Sequence, residues 1–121
     1  MEIIPKFLHA LLLTVVIESV AVVAVVRSIY RITAPNVSWA RCIAAGILAS
    51  SLTLPYLWFV FPAWFSGFWT LAATGEPSVV IVEGFFYWLV LRLSLSRSLL
   101  LSLIANVLSF TIGLCLSRYL L

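Results

Sequence analysis

Two glutamates are the residues of this sequence best suited to proton or cation chemistry. Glu18 and Glu83 each interrupt a long apolar run. Glu18 precedes Arg27 by nine residues, and Glu83 precedes Arg92 by nine. A carboxyl group in an apolar environment must find a partner or stay protonated. The pair therefore predicts a buried site that binds a proton or a cation. The structural alternative is two neutral acids that hydrogen-bond to each other and lock neighbouring helices together.

Two further polar residues have the same spacing from an arginine. Ser50 follows Arg41 by nine residues, and Asn106 follows Arg97 by nine. Nine residues of α-helix rise about 13 Å, so all these side chains should lie at one level. Small residues and hydroxyls at helical spacing can equally serve close packing alone. We expect a midplane polar network of Glu18, Ser50, Glu83 and Asn106, with a supporting polar stripe of Thr14, Thr53, Tyr87, Ser102 and Ser109.

The composition places these residues inside a membrane. Of 121 residues, 64% are hydrophobic and 9% are charged, whereas soluble domains carry about 25% charged residues. Four apolar stretches, at about 7–26, 42–61, 78–93 and 98–116, are each close to the length needed to cross a bilayer, and lipid requires them to be helical. The chain is then a single transmembrane domain over 1–121. Pro55 should kink the second helix or end its regular part early. We expect a turn at 35–36 and an outer aromatic connection at 62–77.

The two halves of the chain resemble each other. Besides the shared spacings, Thr53 corresponds to Ser109 and Gly46 corresponds to Ser102. Repeat 1 covers about 7–61 and repeat 2 about 78–117. Because each repeat contains two helices, both copies should run in the same direction, related by an axis along the membrane normal. The predicted fold class is therefore all-α, an integral membrane four-helix bundle built from two tandem, parallel helical-hairpin repeats.

Arginines predict the orientation in the membrane. Five of them fall in the two turns at one end of the helices, which the positive-inside rule assigns to the cytoplasm. Both termini should then lie outside, and we expect a prokaryotic cytoplasmic membrane. The side chains should act as interfacial anchors that reach lipid headgroups, some of them anionic. These anchors are Arg27, Arg31, Arg41, Arg92 and Arg97.

A short segment has a family resemblance. The sequence TVVIESV at 14–20 resembles the first helix of the small multidrug resistance transporters, whose single essential acid corresponds to Glu18. The resemblance covers only this segment. A second acid at Glu83, the duplicated hairpin and the strong arginine bias depart from that family. Fluoride channels have a similar length, but their glycine-rich first helix and their phenylalanine and asparagine motifs are absent. These residues do not place the chain in a family.

No hydrolytic motif or metal-site spacing occurs in the sequence, and no enzyme activity is expected. The basic residues sit at helix ends rather than in a patch, so nucleic acid is not an expected partner. Nor is a cofactor clearly implied, and a bound lipid is left open as an alternative. The leading hypothesis is a small non-catalytic subunit, or an assembly and stability partner, of a larger membrane complex. The alternative is a small proton- or cation-coupled transporter or channel that acts as a homo-oligomer through Glu18 and Glu83. Expected partners are lipids and either other membrane subunits or a second copy.

Overall fold

Four helices make up nearly all of the described chain. The computed structural model describes residues 3–32 and 38–120, apart from the side chains of residues 3, 68 and 117–120. Within those ranges every regular element is helical, as the sequence predicts, and there is no strand. The four long helices are α1 (Ile3–Ala24), α2 (Trp39–Pro55), α3 (Phe68–Leu91) and α4 (Leu95–Leu120). The predicted turn at 35–36 lies outside the described residues.

Three of the helical segments are long and apolar enough to cross a membrane. They cover Ile4–Ile29, Trp39–Ala63 and Leu95–Leu116. The remaining helix, α3, is 24 residues long, but it contains Glu76, Pro77 and Glu83. These residues lower the mean hydropathy of α3, so it is less apolar than the other three segments. Its length of about 36 Å would suffice to cross a bilayer. The length and apolar composition of these three segments are compatible with a membrane protein.

Helix α3 begins earlier than the sequence indicates. Its first residue is Phe68 rather than Ser78, so the second half of the predicted connection at 62–77 is helical. Gly67, with φ of 84°, precedes the helix and sets its start. Pro77 lies inside the helix. Proline is compatible with helical backbone dihedrals but removes one hydrogen bond from the ladder. The aromatic connection is therefore shorter than predicted.

Two helices lose regular α geometry at one end. After Ala24, residues Val25–Ile29 form a π-helical turn. On α2 the regular α-helix ends at Pro55, as predicted, and gives way to a π-helical turn at Tyr56–Val60 and a 3-10 turn at Phe61–Ala63. Proline lacks the N–H that would continue the ladder, and its ring crowds the carbonyl four residues earlier. The last part of α2 is consequently irregular.

The helices pack as two antiparallel hairpins that lie against each other. Hairpin 1 consists of α1 and α2, and hairpin 2 of α3 and α4; α1 also packs on α4, and α2 on α3. We call the end that carries the two hairpin turns the arginine end, and the opposite end the outer end. The apolar core lies toward the arginine end and includes Val22, Val25, Val26, Cys42, Ala45, Ala49, Leu91, Leu93 and Leu101. This half of the molecule is closed by small and branched side chains.

Candidate functional site

Glu18 and Glu83 face each other at the centre of the four helices. Both side chains are buried, with 0% and 1% of their surface exposed. Each carboxyl contributes to the electrostatics of the other, so they are direct neighbours. Helix α1 delivers one and α3 the other, because each acid lies on the inward face of the first helix of its hairpin. Their equal spacing from an arginine predicts that Glu18 and Glu83 lie at one level. The fold brings the two side chains together there.

Glu83 is held on both carboxyl oxygens. Asn106 of α4 donates through Nδ2 to Oε1 at 2.7 Å and to the Ser102 carbonyl at 2.8 Å. Thr53 of α2 places Oγ1 2.6 Å from Oε2, and the same hydroxyl lies 2.9 Å from the carbonyl of Ala49. Three helices therefore converge on this one carboxyl group. Its position is fixed from both sides.

Glu18 is held on one oxygen only. The Tyr87 hydroxyl, fully buried on α3, donates to Oε2 at 2.8 Å. The other oxygen, Oε1, is buried and has no hydrogen-bond partner among the described residues. Ser50 of α2 lies beside this carboxyl and is 1% exposed, yet its Oγ also lacks a hydrogen bond within the described part of the chain. Buried polar atoms without partners are uncommon and costly, so they mark a place of interest.

The supporting residues have different environments. Ser102 is buried and its hydroxyl donates to the Val80 carbonyl at 2.7 Å, which ties α4 to α3. Ser109 donates to the Asn106 carbonyl at 3.2 Å, within its own helix. Thr14 does not join the central cluster but lies in the wall of the cavity described next. The predicted network of four residues is thus surrounded by hydroxyls that serve helix contacts.

A large cavity lies between the helices in the outer half of the molecule. Its volume is about 1030 Å³. Glu18, Thr53, Glu83 and Asn106 form its floor at mid-depth, and its walls extend to His9, Leu71 and Leu116 near the outer ends of the helices. Apart from the polar floor, most of its lining is leucine, alanine, valine and aromatic side chains, and the cavity is partly open rather than enclosed. The cavity therefore ends on the two acids, and the apolar core lies beyond them, toward the arginine end.

Positive charge does not compensate the two acids. Among the described residues, no cationic side chain contributes to the electrostatics of either carboxyl group. Within the same residues no cluster of three or more histidine, cysteine or acidic side chains is arranged to hold a metal ion. The described donors are oxygens and one amide. Such a set can bind a proton or a small hard cation, and it can accept the positive group of a larger solute.

The predicted anchors lie at the arginine end, away from the acids. Arg27 donates to the carbonyl of Ile32 at 2.7 Å, and its guanidinium stacks 4.9 Å from the Trp39 ring. Arg97 stacks 5.2 Å from the Tyr30 ring, while the Tyr30 hydroxyl donates to the Arg97 carbonyl at 2.7 Å. Burial raises the pKa of the Tyr30 phenol, and the charge of Arg97 opposes that rise. The Tyr30–Arg97 contacts join hairpin 1 to hairpin 2 at the turns, whereas the Arg27 contacts stay within hairpin 1.

The other three anchors are exposed. Arg31, Arg41 and Arg92 lie on the surface of the arginine end. Arg31 and Arg92 follow the helical segments of α1 and α3 and have left-handed backbones, with φ of 55° and 57°. An L-residue in that region costs roughly 1–2 kcal/mol. Their exposure suits interaction with headgroups.

Three features of the site are not evident from the sequence. Glu76 lies half-buried in the cavity wall on α3, because that helix begins ten residues earlier than the predicted Ser78. The cavity itself depends on the volumes of facing side chains, which periodicity does not reveal. Tyr87 is predicted as part of the supporting polar stripe, whereas its hydroxyl donates directly to Glu18 on the other hairpin. An aromatic hydroxyl one helical turn from a buried acid was the only available signal.

Comparison with protein-family models, with curated proteins and with solved structures finds no match for this chain.

Proposed function

We propose that this protein is a small membrane transporter or channel coupled to protons or monovalent cations, in which Glu18 and Glu83 form the ion-binding centre. One observation carries the proposal: a cavity of about 1030 Å³ ends on two buried carboxyl groups that have no cationic partner among the described residues. Buried acids inside a membrane are costly, and those that persist commonly serve proton or ion pathways. A merely structural pair would not need a wide access route.

The shape of the cavity fits one stage of alternating access. A solute or ion can approach the acids from the outer end, while the apolar core blocks the route to the arginine end. Transporters commonly bind their ion near the midplane between two repeats and open to one side at a time. In this proposal the structure is the outward-open state, and no catalytic chemistry is involved.

The proposal includes a fourth membrane crossing by α3 and a tandem duplication of the hairpin. Close helix contacts support the duplication. In hairpin 1 a methyl group on Gly46 would lie 2.7 Å from the Cα of Ser19, the residue after Glu18. In hairpin 2 a methyl group on Gly84, the residue after Glu83, would lie 3.2 Å from the Cα of Leu99. Each hairpin thus has a close helix contact at the residue that follows its glutamate.

Orientation and location follow from the arginines. We propose a cytoplasmic arginine end, external termini and a prokaryotic cytoplasmic membrane, with anionic lipid at the exposed guanidinium groups. A homo-oligomer is the expected functional unit.

Ion flux into proteoliposomes tests the function. We would reconstitute the purified chain with an enclosed pH dye, impose a membrane potential, and repeat the measurement with gradients of sodium and potassium. The wild type should conduct protons or a monovalent cation above empty vesicles, and the double variant Glu18→Gln with Glu83→Gln should not. Circular dichroism and size-exclusion profiles would establish that the double variant is folded. Flux equal to wild type in that variant, or no flux in the wild type, contradicts the proposal.

A second candidate function is a non-catalytic subunit or assembly partner of a larger complex. It is favoured by a groove of about 580 Å³ on the surface between α3 and α4, lined mainly by apolar residues such as Trp69, Val80 and Val107. A helix of another membrane protein could occupy it. Native mass spectrometry after gentle extraction from the source membrane tests this candidate. Unrelated subunits in fixed ratio would favour it, and a homo-oligomer would favour transport.

A further inference from the structure

The two central glutamates have different surroundings, and this difference assigns them different tasks. We infer that Glu18 and Ser50 form the exchangeable site for a proton or a small monovalent cation, whereas Glu83 is a permanently protonated group that holds the cluster together. This inference rests on the proposed function, because it states where the coupled ion binds. It departs from the expectation that the two acids are equivalent.

The hydrogen atoms around Glu83 can be counted. A threonine hydroxyl has one hydrogen, and in a helix it commonly goes to the carbonyl four residues earlier. Thr53 has that carbonyl, Ala49, at 2.9 Å and Glu83 Oε2 at 2.6 Å. If the hydroxyl hydrogen goes to Ala49, the bond to Oε2 needs a hydrogen from the carboxyl group. A distance of 2.6 Å suits a bond between two oxygens with either one as the donor.

The other oxygen completes the count. Asn106 has two amide hydrogens, and they are used by Glu83 Oε1 and the Ser102 carbonyl. A protonated Glu83 therefore donates through Oε2 and accepts through Oε1, and every hydrogen around it has one acceptor. An ionised Glu83 would leave Thr53 to share a single hydrogen between two acceptors. The neutral acid is the arrangement in which this half of the cluster is satisfied without any further group.

Glu18 presents the opposite situation. Tyr87 donates to Oε2, but Oε1 and the adjacent Ser50 Oγ are both buried and unpartnered among the described residues. A serine side chain is shorter than the asparagine at the corresponding position of hairpin 2, Asn106, so it leaves room where Asn106 makes contact. Glu18 belongs to the cavity floor and Ser50 lies beside it, so their two unsatisfied oxygens are ligands for one small cation or for a proton. Their chemistry favours sodium or hydronium over a soft metal.

Few titratable groups surround this site. Helix α3 presents Glu83 and Tyr87 to Glu18, while α2 and α4 contribute only Ser50, Thr53 and Asn106, which do not titrate in this range. Glu76 and His9 lie farther out in the cavity wall. A change in protonation at the floor is therefore a change in Glu18, provided that Glu83 keeps its proton.

Infrared difference spectroscopy of the whole protein in nanodiscs tests the assignment without requiring transport. The wild type should show the carbonyl stretch of a buried protonated acid that does not change with pH or sodium, and this constant band should be absent in Glu83→Gln. A change in pH or in sodium, with choline as the replacement ion, should produce a carboxyl difference signal in the wild type. That signal should persist in Glu83→Gln, whose amide can donate to Thr53 and accept from Asn106. The part that belongs to Glu18 should vanish in Glu18→Gln, and Glu76→Gln, measured alongside, identifies the part that comes from the acid in the cavity wall.

Ser50→Ala is a second, less disruptive variant. Loss of a hydroxyl ligand to a charged group should weaken the sodium or proton response about tenfold. Ser51→Ala, its exposed neighbour on the same helix, is the matched control and should respond like the wild type. A response to sodium at fixed pH identifies a sodium site, and a response to pH alone identifies a proton site.

Three results would overturn the inference. They are survival of the constant protonated-acid band in Glu83→Gln, loss of the ion-dependent signal in Glu83→Gln with its retention in Glu18→Gln, and an unchanged response in Ser50→Ala. Flux measurements keep the two proposals apart. If the wild type moves no ions although Glu18 responds, the proposed function fails and the ion site stands. If the wild type moves ions and Glu83→Gln abolishes flux in a folded protein, the function stands and the assignment of tasks fails.

Discussion

Replacement of Gly46 by alanine should separate the helices of hairpin 1. The added Cβ would lie 2.7 Å from the Cα, 2.9 Å from the N and 2.8 Å from the Oγ of Ser19. Carbon atoms in contact prefer about 3.5–4.0 Å, so the two backbones must move apart by roughly 1 Å. Two of the three atoms belong to the backbone, and rotation of a side chain cannot relieve the clash. Ser50, one turn along α2, would move away from Glu18 at the same time.

The size of the effect combines two opposing terms. Extra volume in a well-packed interface costs about 1–3 kcal/mol. Alanine is better than glycine inside a helix by about 0.5–1 kcal/mol. The midpoints of these two ranges, about 2 and about 0.75 kcal/mol, give a net loss of about 1 kcal/mol in the free energy of unfolding for Gly46→Ala. In Gly84→Ala the nearest atoms belong to the flexible Leu99 side chain, and the Leu99 Cα is 3.2 Å away. This second substitution should cost less.

Gly113→Ala is the matched control, because among the described residues no atom outside its own stretch of helix lies within 4 Å of the added methyl group. It should leave the protein unchanged or stabilise it by up to about 1 kcal/mol through helix propensity. The assay is reversible unfolding in mixed micelles, followed by circular dichroism. The expected order of stability is Gly113→Ala, then Gly84→Ala, then Gly46→Ala. The reasoning is refuted if Gly46→Ala is as stable as the wild type, or if Gly113→Ala is the least stable of the three.

Three further predictions concern the turn, the acid pair and the cavity. Arg92→Gly should stabilise the protein by about 1 kcal/mol, because glycine adopts a positive φ without steric cost; an unchanged or lowered midpoint of thermal unfolding would contradict the strain argument. Tyr87→Phe removes the hydrogen bond that Tyr87 donates to Glu18 and should cost about 1.5–3 kcal/mol of unfolding free energy, so a loss below the error of the measurement would show that the bond contributes little. Gly113→Cys, in a variant without the native cysteines, should react with a hydrophilic maleimide added from the side of the termini in oriented vesicles. Labelling from the arginine side alone would mean that the cavity opens the other way.

Much of the site could be predicted because helix geometry is rigid. The rise per residue is constant, so equal spacing from an arginine translates into equal depth for Glu18, Ser50, Glu83 and Asn106. The choice of partners was beyond the same reasoning. Glu83 meets Thr53 rather than Ser50, because the rotation of α2 about its axis depends on the close approach at Gly46. Rotation is decided by packing, and spacing along one helix carries no information about it.

Helix boundaries show the same division. The end of regular α-helix at Pro55 was predictable from the missing N–H. The predicted third stretch starts at about 78, just after Pro77, whereas α3 contains Pro77 and begins at Phe68, after Gly67. A proline breaks a helix or is accommodated within it according to its surroundings. Those surroundings are tertiary and lie outside the local sequence.

The π-helical turns give the two hairpins different mechanical properties. Both lie in hairpin 1, one near the arginine end of α1 and the other at the outer end of α2, whereas α3 and α4 are regular helices throughout. Single π-helical turns interrupt the α-helical ladder and are frequent at functional sites. Hairpin 2 thus resembles a stiff frame that carries Glu83 and its fixed partners. In hairpin 1, one π-helical turn follows α1 on the arginine side of Glu18, and the other follows α2 at the outer end. The cavity wall near the outer end and the apolar core near the arginine end can therefore bend independently, while Glu18 keeps its place.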